Sequence, residues 1–130
     1  MGLPEVEDET RLIVTYGIVE AIRSARGTMV SLNVTDIIEY ASKTVPTARE
    51  VLERVKRGSR PLAFWLVRNY LITLALAGFI GILPKGRNFT YTITNNSKLW
   101  VLAREDPGTA VGFIMNLLDS QGTPGSTGGG

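Results

Sequence analysis

The 130-residue chain contains no cysteine and no histidine. The first absence removes disulfides, thiolate nucleophiles and thiolate zinc sites. The second removes imidazole acid–base catalysis and the remaining Cys/His metal sets. Carboxylate catalysis or a Mg²⁺ site stays open in principle. Yet Glu50 and Glu53, one helical turn apart, sit among bases and are expected to pair or cap. Lys85-Gly-Arg87 lacks the spaced glycines and the Lys-Ser/Thr ending of a phosphate-binding loop. The expectation is therefore a non-enzyme without cofactor or metal. The N-terminus has little basic charge: Glu5, Glu7, Asp8 and Glu9 stand where export and transit peptides are basic, so the chain is expected to work where it is made.

An uninterrupted membrane span is also missing, although residues 61–83 come close. Only Arg68, Asn69 and Thr73 are clearly polar there, and the run is long enough to cross a bilayer. A charge in its first third would cost a few kcal/mol by insertion scales. Gly78 and Gly81 divide the run into a helical and a β-rich piece. A buried central helix followed by a core strand accounts for the same residues.

The charge that is present is unevenly distributed. Residues 1–42 carry three Lys/Arg and seven Asp/Glu, net −4. Residues 43–104 carry eleven Lys/Arg against Glu50 and Glu53, net +9. Residues 105–130 carry Glu105, Asp106 and Asp119 without a base, net −3. A basic middle between acidic ends points to one face meant for a polyanion.

Residues 1–9 read as a frayed acidic lead-in. Val14, Ile18, Ala21 and Ile22 recur at helical spacing, which predicts a helix over 9–25 ended by Gly27. Residues 28–32 are β-prone. Asn33, with Asp36 in the first turn, is placed to cap a helix over about 33–43. Pro46 breaks the chain, and Thr47-Ala-Arg-Glu50 has the form of a capping box opening a helix over 47–57. In that helix Val51, Leu52 and Val55 face inward, and Arg54, Lys56 and Arg57 outward. Pro61 suits the first turn of a long helix reaching Leu76 or Ala77, closed by Gly78. Strands follow over 79–83 and 89–93 around a turn at 84–88. Residues 98–102 read as a strand or a helical start. Ala110, Val111, Phe113, Ile114, Leu117 and Leu118 form an apolar closing helix. The tail from Ser120 has nothing to bury and is expected to be flexible. The fold class is mainly α with a small β-hairpin (α+β). Its core domain spans 10–104, followed by a closing helix over 105–119 and a tail over 120–130.

The order helix, strand, helix, helix, hairpin resembles the winged-helix DNA-binding domains, giving a winged-helix-like domain of three to five helices. The resemblance rests on Leu74-Ala-Leu-Ala-Gly-Phe-Ile80, then Lys85-Gly-Arg87, then Phe89-Thr-Tyr-Thr-Ile-Thr94. The helix over 47–57 departs from it, so the recognition helix is either of two. The resemblance implies a non-enzymatic regulator or architectural protein on double-stranded DNA. It places the recognition helix in the major groove and the wing tip on a neighbouring phosphate strand or in the minor groove. Carried over by position, Lys85, Arg87 and Asn88 are the wing tip, with Arg57, Arg60 and Arg68 along the long helix and its approach. Ser59 and Thr47 are further phosphate partners. Phe64, Trp65, Tyr70 and Trp100 have the chemistry of stacking platforms, but Phe64, Trp65 and Tyr70 at helical spacing in an apolar run read as core. Phe113, Ile114 and Leu117 are expected to form a homodimer contact. A structural nucleoprotein, a DNA-coating capsid or chromatin protein of a hyperthermophilic archaeon or its virus, is the alternative; absent cysteine fits such a source. The location would be cytoplasmic, or the interior of a virion.

Overall fold

The computed structural model describes residues 3–121, so the expected tail lies, from residue 122 on, outside the described residues. Among the described residues, six helices and one small sheet follow in the order α1 (Leu3–Ser24), β1 (Met29–Leu32), α2 (Val34–Ala41), α3 (Pro46–Lys56), α4 (Leu62–Leu76), β2 (Gly81–Lys85), β3 (Asn88–Thr94), α5 (Lys98–Glu105) and α6 (Pro107–Gln121). The chain is thus mainly helical with a three-stranded antiparallel sheet, an α+β domain of winged-helix-like layout.

α1 is the axis of the domain, packed against α2, α4, α5 and α6. Ile13, Val14, Ile18, Ala21 and Ile22 are almost wholly buried, and so are Thr10, Arg11 and Thr15. Burial on several sides explains why polar side chains of this helix lie inside. The helix also begins well before the expected Glu9, so residues 3–9 of the acidic lead-in are helical. Carboxylates near a helix N-terminus are favoured by the backbone dipole, Glu5 stands in the first turn, and Asp8 pairs with Arg11 one turn on.

α2 starts with the expected cap at Asn33, and Asp36 completes a reciprocal capping box. Asn33 Oδ1 accepts from the Asp36 N–H at 2.8 Å, and Asp36 Oδ2 accepts from the Asn33 N–H at 3.0 Å. α3 corrects the capping box expected at Thr47–Glu50. Its cap is Val45 without a side-chain bond, with Pro46 in the first turn. Thr47 is therefore already inside the helix. Proline needs no N–H partner in the first turn, and that advantage displaced the start by one residue.

α4 ends in a Schellman pattern. The Gly78 N–H donates to Ala75 and the Phe79 N–H to Leu74, each at 3.0 Å, with Gly78 at φ 87°, a value that favours glycine. Leu71 and Leu74 are buried as expected. α4 is nevertheless one-sided rather than central: Leu62, Trp65 and Leu76 are exposed. Among the described residues no helix is long and apolar enough to cross a membrane.

The strand order is β1-β3-β2. Leu32 and Ile82 flank Tyr91 from either side, and Lys85 pairs with Asn88. The hairpin turn is thus two residues, Gly86-Arg87, not the expected five. Gly86 has φ 62° and, among the described residues, no non-glycine residue has positive φ, the signs of a type II′ turn, which suits twisted hairpins. Pro84 was read as turn but lies in β2. It can do so because β2 is an edge strand, where a missing N–H costs no ladder bond.

Residues 98–102 belong to α5, capped by Ser97 Oγ, with Trp100 buried. α6 packs on α1, α4 and α5 and is part of the same core. Ile114, expected at a dimer contact, is fully buried beside Ala110 and Leu118, so it is unavailable to a second copy. Phe113 and Leu117 are half-buried. Phe113 meets Phe79 edge to face at 5.6 Å.

Candidate nucleic-acid interface

β1, the start of α2, the first half of α4 and the β2–β3 hairpin enclose one open cleft of about 730 Å³. Each wall arises from a local rule already described. The capping box fixes the first turn of α2. Pro61 as N-cap starts α4, so that Phe64, Trp65 and Arg68 fall along the cleft. The two-residue turn holds Lys85 and Arg87 at the hairpin tip.

Five of the six residues nominated from sequence for DNA line this cleft: Arg60, Arg68, Lys85, Arg87 and Asn88. They come from three separate segments of chain. Arg57 does not join them. It is the C-cap of α3, exposed to solvent, and forms a 3.6 Å pair with Glu53 one turn earlier, a contact of small energetic worth. Ser59 and Thr47 are likewise absent from the lining.

The cleft is strongly one-signed. Its four cations face a single carboxylate, Asp36, and that carboxylate already accepts the Asn33 N–H. Arg60 lies before α4 rather than within it. Its guanidinium donates to the carbonyls of Ser59 at 2.8 Å and Val55 at 3.3 Å and stacks over Phe64 at 4.8 Å. Arg68 sits over the Phe89 ring at 5.6 Å. Both arginines are thereby held in place by the aromatic residues they cover. Lys85 and Arg87 are exposed at the tip.

Tyr91 lies in the wall between these cations. Burial pushes its hydroxyl above the ordinary tyrosine pKa, and the Arg68 charge draws it partly back. The hydroxyl is buried without a hydrogen-bond partner among the described residues.

Sequence reasoning missed the aromatic part of this site. Trp65 was assigned to the core, yet it is 46% exposed on the cleft wall, edge to face with Phe64 at 5.2 Å. Tyr70 is core as expected, at 2%. The signal was available in phase: Val67, Leu71 and Leu74 define the inner face of α4, and Trp65 lies half a turn from Val67. Ser31, Asn33 and Thr35 also line the cleft. Nothing in their local sequence distinguished them from an ordinary strand end and cap.

No family model, no curated protein and no solved structure matches this chain.

Proposed function

We propose that this protein binds double-stranded DNA without catalysing a reaction on it, as a regulator or architectural protein of winged-helix type. One observation carries the reading: cations from the α3–α4 link, from α4 and from the hairpin converge on a single cleft rim with one already engaged carboxylate opposite them. Phosphate contacts of this kind supply sequence-independent, salt-dependent affinity. α4 is the recognition helix of this proposal, because it feeds the hairpin directly and shares the cleft with it; α3 contributes no residue to the lining. With so few cations near the helix, backbone and shape contacts outweigh base reading.

Titration with a random-sequence duplex at two salt concentrations tests the proposal. Binding that weakens steeply with salt is expected, and a salt-independent or absent signal would overturn it. The same titration separates a second reading, a DNA-coating structural nucleoprotein. Exposed Leu62, Leu76 and Leu83 favour that reading, since neighbouring copies along a duplex would have apolar surface to share. Coating proportional to duplex length supports it, and binding saturating at one site excludes it. A homodimer is proposed only on the partial exposure of Phe113 and Leu117; a monomer by light scattering removes it.

A further inference from the structure

Beyond the charge, the cleft holds aromatic surface for which an intact duplex has no use. In a duplex the base faces are already stacked, so a protein presents cations to phosphates and polar groups to base edges. Here an apolar helix leaves Trp65 46% exposed on a concave wall. The ring is steadied edge-on by Phe64 at 5.2 Å, and Phe64 is itself covered by Arg60 at 4.8 Å. Across the same cleft Arg68 covers Phe89. Two of the three rings thus carry a guanidinium, and Lys85 and Arg87 line the same cleft.

Interleaved cations and aromatic faces are what a single strand requires. The phosphates meet the cations while unstacked bases lie on the rings, and such stacking tolerates any base because each has a π-face. The volume of about 730 Å³ falls in the range that encloses a small organic ligand, whereas a duplex can only lie across the opening. We infer that the cleft takes unpaired nucleotides, with Trp65 as the stacking platform, so that the protein favours DNA carrying a single-stranded segment over a blunt duplex. The inference rests on the nucleic-acid reading of the same cleft and adds the class of nucleic acid.

The test uses the full chain with a single-stranded oligothymidylate, a blunt duplex of equal length and the same duplex with a thymidine overhang, all at low salt. Of the two tryptophans, Trp100 is buried at 7%, so quenching by oligothymidylate reports Trp65. Expected are clear quenching, tighter binding of the overhang duplex than the blunt one, and a Trp65→Ala loss for the single strand about fivefold greater than for the blunt duplex. Trp65→Phe, which keeps a ring, should restore most of it. Because Trp65 lies outside the core, melting of both variants verifies folding independently. Binding of the blunt duplex without quenching by oligothymidylate overturns this inference and leaves the duplex proposal standing. An equal loss for both ligands in Trp65→Ala also overturns it. Failure of all three DNAs to bind removes both.

Discussion

A methyl group at Gly17 would lie 2.5 Å from the carbonyl oxygen of Ile37 and 2.7 Å from its Cγ2. The two helices α1 and α2 are therefore in contact through backbone, at a distance only a missing side chain permits. Alanine at position 17 would gain about 1 kcal/mol of helix propensity. It would also push two helices apart in a packed core, a change costing about 1–3 kcal/mol or more when the obstacle is backbone. We expect Gly17→Ala to be net destabilising by about 1–2 kcal/mol, measured by chemical denaturation. Unchanged stability would mean that the shift of α2 costs no more than the helix propensity gained.

Two buried tyrosines should respond oppositely to loss of the hydroxyl. Tyr70 accepts a 3.2 Å bond from Arg11, whose guanidinium is nearly buried and also pairs with Asp8. Burial opposes the charge on Arg11, but the bond to Tyr70 and the nearby Asp8 and Asp119 hold its pKa above the ordinary value. Tyr70→Phe strips a buried charge of a partner and should cost about 1.5–3 kcal/mol. The Tyr91 hydroxyl has no partner among the described residues, so Tyr91→Phe should be neutral or stabilising by about 1 kcal/mol. Equal losses in the two variants would contradict this account.

The same tyrosines set an alkaline limit. Burial raises both hydroxyl pKa values above the ordinary one, which is about 10. Below that pH both hydroxyls keep their protons in folded and unfolded chains, and the stability they confer is fully present. As pH climbs past 10 the unfolded chain loses these protons first, and stability falls until the raised folded values are passed. Chemical denaturation between neutral pH and pH 11 should show the decline, and it should be shallower in Tyr91→Phe. A flat profile would show that neither hydroxyl is perturbed.

Much of this fold could be read in the sequence because punctuation and periodicity agreed. Asn33 with Asp36, Pro61 and Gly78 each fixed a helix end through a strong local rule, and Lys85-Gly-Arg87 marked the hairpin tip. Where two rules competed, only tertiary structure could decide. Pro46 displaced the Thr47–Glu50 box, and Pro84 entered a strand because pairing made β2 an edge. Apolar character alone misassigned Trp65 and Ile114 in opposite directions. In helices as apolar as α4 and α6, composition shows that a helix packs but not which side of it does. The convergence of Arg60, Arg68 and the hairpin tip depended on long-range pairing of β1 with β3, which no local pattern encodes.

Leu71 and Leu74 test whether α4 is held as the packing indicates. Both are essentially inaccessible, at 0% and 1%, in a helix packed against α1 and β2. Truncating either to alanine removes buried methyl groups and leaves a cavity, at a cost of about 2–5 kcal/mol. Leu76→Ala, at 85% exposure on the same helix, should change stability by less than about 0.5 kcal/mol. Denaturant midpoints of the three variants check this, and a large effect at Leu76 would show that this leucine is covered in solution.

The hairpin tip gives the most direct test of the proposed DNA interface, because function and stability separate there. Lys85, the last residue of β2, and Arg87, in the two-residue turn, flank Gly86, both exposed, and neither takes part in a side-chain hydrogen bond or ion pair among the described residues. Nothing in packing requires their charge. If each meets one phosphate, binding releases about one counterion per contact, so the double Ala variant should reduce the slope of log affinity against log salt by about two. Affinity at low salt should fall about tenfold or more, while the melting temperature stays close to that of the parent. Affinity measured over a salt series by fluorescence anisotropy, with melting followed in parallel, distinguishes the outcomes. A reduced affinity with an unchanged slope would point to altered shape rather than lost phosphate contacts. No change in either quantity would take the hairpin out of the interface and leave Arg60 and Arg68 alone to hold the polyanion.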